Sequence, residues 1–273
     1  MKLKLSIKSI LGVVLAVIFF WVFAISIWFT NNILDRDTFV NKTTAVLETE
    51  QSRTAISNEI VGRIRQNRPI IGTITAPILS KIIVGVLDTD IFDTIYTRMA
   101  QELHLQLTTR NPRPLTIDVK DTAEFIRPLV EERNPDLIDS LPDQIVIIKE
   151  NQIPSIYRFG TVLTITGPVL LIAGLVILIL VFRSASSKRS FVTVLGLSLA
   201  ASGFLVYYLV PAIGSSVSSL ASSTNSAVII DSLYRSFTDP LVRLSTTVLV
   251  LGSLTTVAGL FLRKDLLKLP RRK

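Results

Sequence analysis

Few residues in this chain are equipped for chemistry, and His104 stands out as the sole histidine. One imidazole can act as a general base once a carboxylate or a nucleophile is brought within hydrogen-bond reach. Its closest acidic neighbour, Glu102, lies two residues away and on a helix faces elsewhere. Asp88 and Asp90 form a D-x-D with Asp93 three residues on, a pattern whose oxygens can hold a hard divalent cation. No EF-hand loop follows them, and both aspartates sit where a helix starts, a position that favours aspartate for capping alone. Glu131, Glu132, Asp136 and Asp139 are a second acidic group, and paired-carboxylate hydrolysis there would depend on their separation. Ser215, Ser216, Ser218, Ser219, Ser222 and Ser223 have no adjacent His or Lys to activate them and read as polar surface. H-E-x-x-H, G-x-S-x-G and phosphate-binding glycine loops are all absent. With no cysteine in the chain, thiol catalysis, cysteine-ligated zinc and iron–sulfur clusters are excluded. The residues therefore imply no cofactor, no metal and no catalytic set; His104, Asp88 and Asp90 remain the functional candidates.

The elements that would position those residues are dominated by apolar blocks. Hydrophobic residues make up 49% of 273 and charged residues only 18%, with a mean hydropathy of +0.52, too apolar for an ordinary water-soluble chain. Four stretches contain no Asp, Glu, Lys, Arg or His: Ser9–Asn32, Phe159–Phe182, Phe191–Ile230 and Leu244–Leu262. A span needs roughly 20 apolar residues to cross hydrocarbon. The expected fold is membrane α-helical, a four-span bundle plus a mainly helical α+β extracytoplasmic domain. Residues 1–30 give the cytoplasmic N-terminus and first span, whose long apolar core without an A-x-A site reads as an anchor and not a cleaved signal. Residues 31–157 form the outer domain, 158–182 the second span and 183–190 a cytoplasmic basic loop. Residues 191–210 form the third span, 211–242 a Ser-rich outer helical loop, 243–262 the fourth span and 263–273 a basic tail. Asp239-Pro240 looks like the start of the fourth span, Asp as N-cap and Pro at the first helical position.

Charge sets the orientation. Lys2, Lys4 and Lys8 precede the first span; Arg183, Lys188 and Arg189 lie between the second and third; Arg263, Lys264, Arg271 and Arg272 follow the fourth. The intervening segment from Asn31 to Tyr157 holds 14 basic and 18 acidic residues. Positive flanks around an acidic segment follow the positive-inside rule, which places both termini in the cytoplasm of a multi-pass plasma-membrane protein. The net charge of +8 is thereby assigned to anionic headgroups of the bilayer, and nucleic acid is excluded as a partner.

Small residues recur every seven positions in the last three spans: Gly160, Gly167 and Gly174; Gly196 and Gly203; Ser245, Gly252 and Gly259. Each set lies on one helix stripe, and small residues let helix backbones approach closely in lipid. They predict a packed bundle of spans two, three and four. No ionisable residue falls inside a span, which argues against proton relays and voltage sensing in a single copy.

In the outer segment, Phe39, Val46, Ile56, Ile60 and Ile64 keep helical spacing after Asp37 as N-cap. A short apolar helix is expected over Ile78–Leu87, a helix from Asp90 to Leu103, and one opened by Asp121-Thr122-Ala123-Glu124. Leu115–Val119 and Gln144–Lys149 read as strands, and the helix between them implies a parallel or mixed pair.

The succession LDRDTFV, DTDIFDTIYTRMAQELH, LTIDVKDTAEFI and LPDQIVII resembles uncharacterised bacterial four-span integral membrane proteins of the actinobacterial type, with an extracytoplasmic domain between the first two spans. The resemblance implies the same topology and brings no activity. Together these features point to a non-enzymatic envelope protein whose outer domain binds a partner or ligand in sensing or scaffolding. The alternatives are an accessory subunit of a transporter or channel, docking on another membrane protein or on a second copy of itself, and an outward-facing hydrolase.

Overall fold

The structure, a computed structural model, describes residues 5–67, 84, 90–110, 115–118, 144–148, 156–219, 221 and 223–261. The expected helices over Ile78–Leu87 and from Asp121 lie outside the described residues, as do the acidic group from Glu131 to Asp139 and Ser222. So do Asp88, Lys2, Lys4, Arg263, Lys264, Arg271 and Arg272. Helix α1 covers Ile7–Phe29 and passes into a wider π turn at Thr30–Leu34. The helices that follow are α2 (Arg36–Leu47), α3 (Glu50–Asn67), α4 (Asp90–Thr108), α5 (Tyr157–Ser184), α6 (Lys188–Ser218) and α7 (Thr224–Phe261). Strands β1 (Leu115–Asp118) and β2 (Gln144–Ile148) form a two-stranded ladder. Among the described residues four helices are long and apolar enough to cross a membrane: α1 with its π turn, α5, α6 and α7.

Several boundaries differ from the sequence reading, each for a local reason. Asp35, not Asp37, caps α2: its Oδ1 accepts from the Thr38 backbone N–H at 2.8 Å. The single helix expected from Asp37 to Ile64 is two. The break falls at Glu48 and Thr49, where the Thr49 hydroxyl accepts from Ser52 N at 3.3 Å and caps α3. The strands stand where the sequence placed them but pair antiparallel, Leu115 opposite Ile148 and Asp118 opposite Gln144. Alternation fixes which face a strand buries and says nothing of its direction. The helix of the third span does not stop at Pro211, since α6 runs through it to Ser218. Likewise Pro240 is interior to α7 and starts nothing. Among the described residues no separate loop helix lies between the last two spans; that stretch extends α6 and α7. At about 1.5 Å per residue the 38-residue α7 is longer than a bilayer core. It carries Asp231, Arg235, Asp239 and Arg243, and no charged residue from Leu244 to Phe261.

Contacts divide the chain into two units, one of residues 1–30, 161–216 and 237–273, the other of residues 31–160 and 217–236. In the first unit α1 is the common element. Val17, Trp21 and Ala24 pack with Val248 of α7 and with Leu195 and Leu199 of α6. Val13 packs with Phe191 and Val194 of α6 and with Leu178 and Val181 of α5.

The seven-residue glycine repeats are used in two separate pairings. A Cβ on Gly196 would lie 2.8 Å from the Gly252 carbonyl, and one on Gly203 would lie 2.8 Å from that of Ser245. One on Gly252 would meet the Ala200 backbone, and one on Gly259 would lie 2.6 Å from Thr193 Oγ1. So α6 and α7 touch backbone to backbone. The α5 glycines do not join them: a Cβ on Gly167 would lie 2.6 Å from Ser26 Oγ, and Gly174 faces Ala16 and Phe19 of α1. Gly160 is buried near the start of α5, in the second unit. The expected three-helix glycine register is therefore corrected to a pair, α6–α7, plus α5 seated on α1. Sequence spacing finds the small stripe on each helix but cannot say which helix it faces.

In the second unit α2 packs along α4, and α4 leads to β1. Phe39, Val40, Val46, Ala55, Val61, Tyr96 and Ala100 are buried there, with Ser52 and Ser57 fully enclosed on α3.

These contacts predict opposite effects for two glycines. Gly252→Ala must push α7 away from the Ala200 backbone and is expected to cost about 1–3 kcal/mol. Gly62→Ala, at a helical site where no described atom lies near the Cβ position, is expected to add about 1 kcal/mol. Thermal unfolding of the detergent-solubilised protein reads both signs.

Candidate functional site

His104 sits on the buried face of α4, aimed at the π turn that follows α1. Its Nε2 lies 3.1 Å from the Leu34 carbonyl oxygen. A carbonyl only accepts, so Nε2 carries the proton and donates. The Phe39 ring packs against the imidazole with centroids 5.2 Å apart. The two ends of this contact, residues 34 and 104, are held by α2 lying along α4 and by the Asp35 cap at the next residue. Hydrogen bonds from the Thr38 hydroxyl, then from its backbone N–H, hold the Asp35 carboxyl below the usual carboxylate range. Glu102 turns away to accept from Gln106, in place of approaching the histidine. The arrangement orients an imidazole by a backbone carbonyl and leaves the Asp35 carboxylate within electrostatic reach of it.

The other candidates separate. Asp90 opens α4, as the spacing predicts, and its side chain lies outside the described residues, like all of Asp88. Among the described residues, no group of three or more His, Cys, Asp or Glu side chains converges as metal ligands do. Asp93 instead faces Arg53 of α3 at 4.0 Å. Tyr96, one turn along, is buried beside them; its hydroxyl has no hydrogen bond among the described residues, and burial pushes that phenol up to about 12. Ser223, from the serine-rich stretch, donates to Glu59 Oε2 at 2.7 Å while its Oγ accepts from Ser226 N at 3.1 Å. It is a helix cap, and no described histidine or lysine stands ready to deprotonate it. An open cleft of about 410 Å³ lies in the same unit, lined by Glu50, Gln51, Thr54, Ala55 and Asn58 of α3 with Asn225 and Val228 of α7.

Two positions that carry no catalytic signature prove to be junctions. Lys42 of α2 donates from Nζ to Asn32 Oδ1 at 2.7 Å and to the Ser236 carbonyl at 3.0 Å. Trp28 donates from Nε1 to the Phe237 carbonyl at 2.8 Å. Nothing in the periodicity of α2 marks Lys42. The signal in the sequence is Pro240, which withdraws the N–H that the carbonyl four residues earlier would receive.

The basic residues between α5 and α6 also have defined partners. Lys188 Nζ donates to the carbonyls of Phe182 and Arg183 at the end of α5. Arg189 donates from Nε to the Gly259 carbonyl at 3.2 Å and from a terminal nitrogen to that of Leu260. Cations at helix C-termini satisfy unpaired carbonyls and meet the negative end of the helix dipole. Lys8 and Arg183 are exposed.

Compared with known protein families, with curated proteins and with solved structures, the chain finds no match. Its class rests on the four long apolar helices: this is a multi-pass α-helical membrane protein.

His104→Ala removes a donor from the Leu34 carbonyl and a ring from Phe39, and is expected to cost about 1–3 kcal/mol of stability. The Asp35 cap gives a pH signature. Its folded pKa is lowered, so its contribution is complete above the unfolded carboxylate pKa and is lost as pH falls through the folded value. Melting temperature is expected to drop below about pH 4, and Asp35→Asn, which caps without titrating, should flatten that part of the profile.

Proposed function

We propose that the chain is a non-enzymatic envelope protein of the plasma membrane with both termini cytoplasmic. In this reading residues 31–157 form a mainly helical α+β extracytoplasmic domain that binds a partner or ligand in sensing or scaffolding. The observation that carries it is the composition of the second unit, in which residues 31–160 cluster with 217–236. Both connections assigned to the outer side of the membrane thus belong to one folded body, large enough for a core of its own. Charge supports the same side, since that body draws on the acidic segment while Lys188 and Arg189 cap carbonyls where α5 and α7 end. The cleft beside Gln51, Asn58 and Asn225 offers polar groups to a ligand. On this reading the chain groups with the uncharacterised bacterial four-span proteins it resembles.

A second reading, an accessory subunit of a transporter or channel, is favoured by α5. Val162, Ile165, Val169, Ile172, Val176 and Ile179 are exposed along it, a surface suited to lipid, to another membrane protein or to a second copy. A hydrolase has the least support, because His104 is engaged with a backbone carbonyl.

The absence of cysteine makes topology directly testable. Single-cysteine variants at Lys4, Asp90, Ser186 and Ser222 should label from outside the cell only at positions 90 and 222. Labelling at 4 or 186 would overturn the orientation. Co-purification with a polytopic transport protein in mild detergent would decide for the accessory-subunit reading.

A further inference from the structure

The segment around Pro240 carries two instructions that conflict. By sequence, Asp239-Pro240 starts a helix: aspartate is a preferred N-cap, and proline suits the first helical position because no N–H is needed there. In the structure α7 ignores the signal and runs from Thr224 to Phe261 without interruption. A proline inside a helix leaves the carbonyl four residues earlier without its donor, and the ring crowds that same carbonyl. Here the orphan is Ser236, and the Lys42 ammonium donates to it at 3.0 Å. The ammonium is itself oriented by Asn32, buried in the π turn, whose Oδ1 it meets at 2.7 Å. Meanwhile Asp239 is diverted from capping into an exposed i,i+4 pair with Arg243 at 3.0 Å.

We propose that Lys42 is a latch that keeps α7 continuous across Pro240, and that α7 has a second state, reached when Lys42 lets go, in which the helix starts at Pro240 with Asp239 as its N-cap. The second state is encoded locally and needs no rearrangement of residues 244–261. The carboxylate only exchanges Arg243 for backbone N–H groups of the first turn. The first state draws on long-range donors: Lys42, 194 positions away in sequence, serves the carbonyl that Pro240 orphans, and Trp28 serves the next carbonyl, that of Phe237. A tethered ammonium fits the task because it is a mobile donor with three N–H bonds and no acceptor, able to serve two oxygens at once.

The test is a two-by-two set of full-length proteins in detergent: wild type, Lys42→Met, Pro240→Ala, and both together. Hydrogen–deuterium exchange is followed by mass spectrometry over residues 224–238 and 244–261. Lys42→Met is expected to speed exchange in 224–238 by about tenfold or more, the change produced by a 1.4 kcal/mol loss, and to leave 244–261 protected. In the Pro240→Ala background the restored N–H of position 240 serves the Ser236 carbonyl, so the same lysine substitution should have little effect on 224–238. The bond from Lys42 to Asn32 is lost in both backgrounds and cancels from the comparison. Equal acceleration with the native proline and in the Pro240→Ala background would overturn the latch, as would no acceleration with the native proline. Should Lys42→Met alone be too unstable to isolate, recovery of the double variant is the expected result, and its failure likewise overturns the proposal.

Discussion

A backbone carbonyl inside or beside a bilayer has no surplus water to turn to, and much of this structure follows from where those carbonyls find donors. A regular helix supplies them from its own N–H groups, so trouble arises only at helix ends and at prolines. At the end of α5 the donor is Lys188, and at the end of α7 it is Arg189. At the proline in α7 it is Lys42. A buried serine, Ser26, adds a hydroxyl bond to the Leu163 carbonyl at 2.7 Å, beside the glycine that lets α5 come close. Several basic residues beside the long helices thus donate to backbone carbonyls. Trp21, like Tyr96, departs from this: its indole N–H is buried within the first unit with no acceptor among the described residues. It marks a site where packing of the ring outweighed the lost bond.

Close packing does the remaining work. Without a hydrophobic drive between helices in lipid, contact surface and dispersion decide association, which is why α6 and α7 meet through glycines with no room for a methyl group. The α5 contact with α1 combines that device with the Ser26 bond. In the second unit small hydroxyl side chains, Ser52 and Ser57, are fully enclosed on α3.

The apolar blocks make the four long helices legible, because a run of about 20 uncharged residues has few other uses. The glycine stripes are legible as stripes, and their partners are not: Gly167 and Gly196 look alike in sequence, yet one faces Ser26 of α1 and the other faces α7. The hub role of α1 leaves little trace because its core stripe, Val13, Val17, Trp21 and Ala24, is apolar like the rest of the helix and names no partner. Strand β1 is readable from alternation and β2 from a short apolar run, while their antiparallel sense is not. At Pro240 and Pro211 the local signal is real and is overruled by tertiary structure, most visibly where Lys42 replaces the missing donor. Of the candidate site, His104 is visible as a lone imidazole, but its acceptor, the Leu34 carbonyl, is a backbone group that no motif can name.

The central place of α1 has a bearing on biogenesis. It is the earliest of the four long helices in the chain, and more than a hundred residues separate it from α5. At about 5–20 residues per second, α1 resides in the bilayer for on the order of ten seconds before its first helical neighbour is made. During that interval the Ser26 hydroxyl and the small-residue groove around Ala16 face lipid with no α5 to cover them. The protein is therefore assembled onto a template that must wait, and each later helix enters a membrane in which its seat already exists.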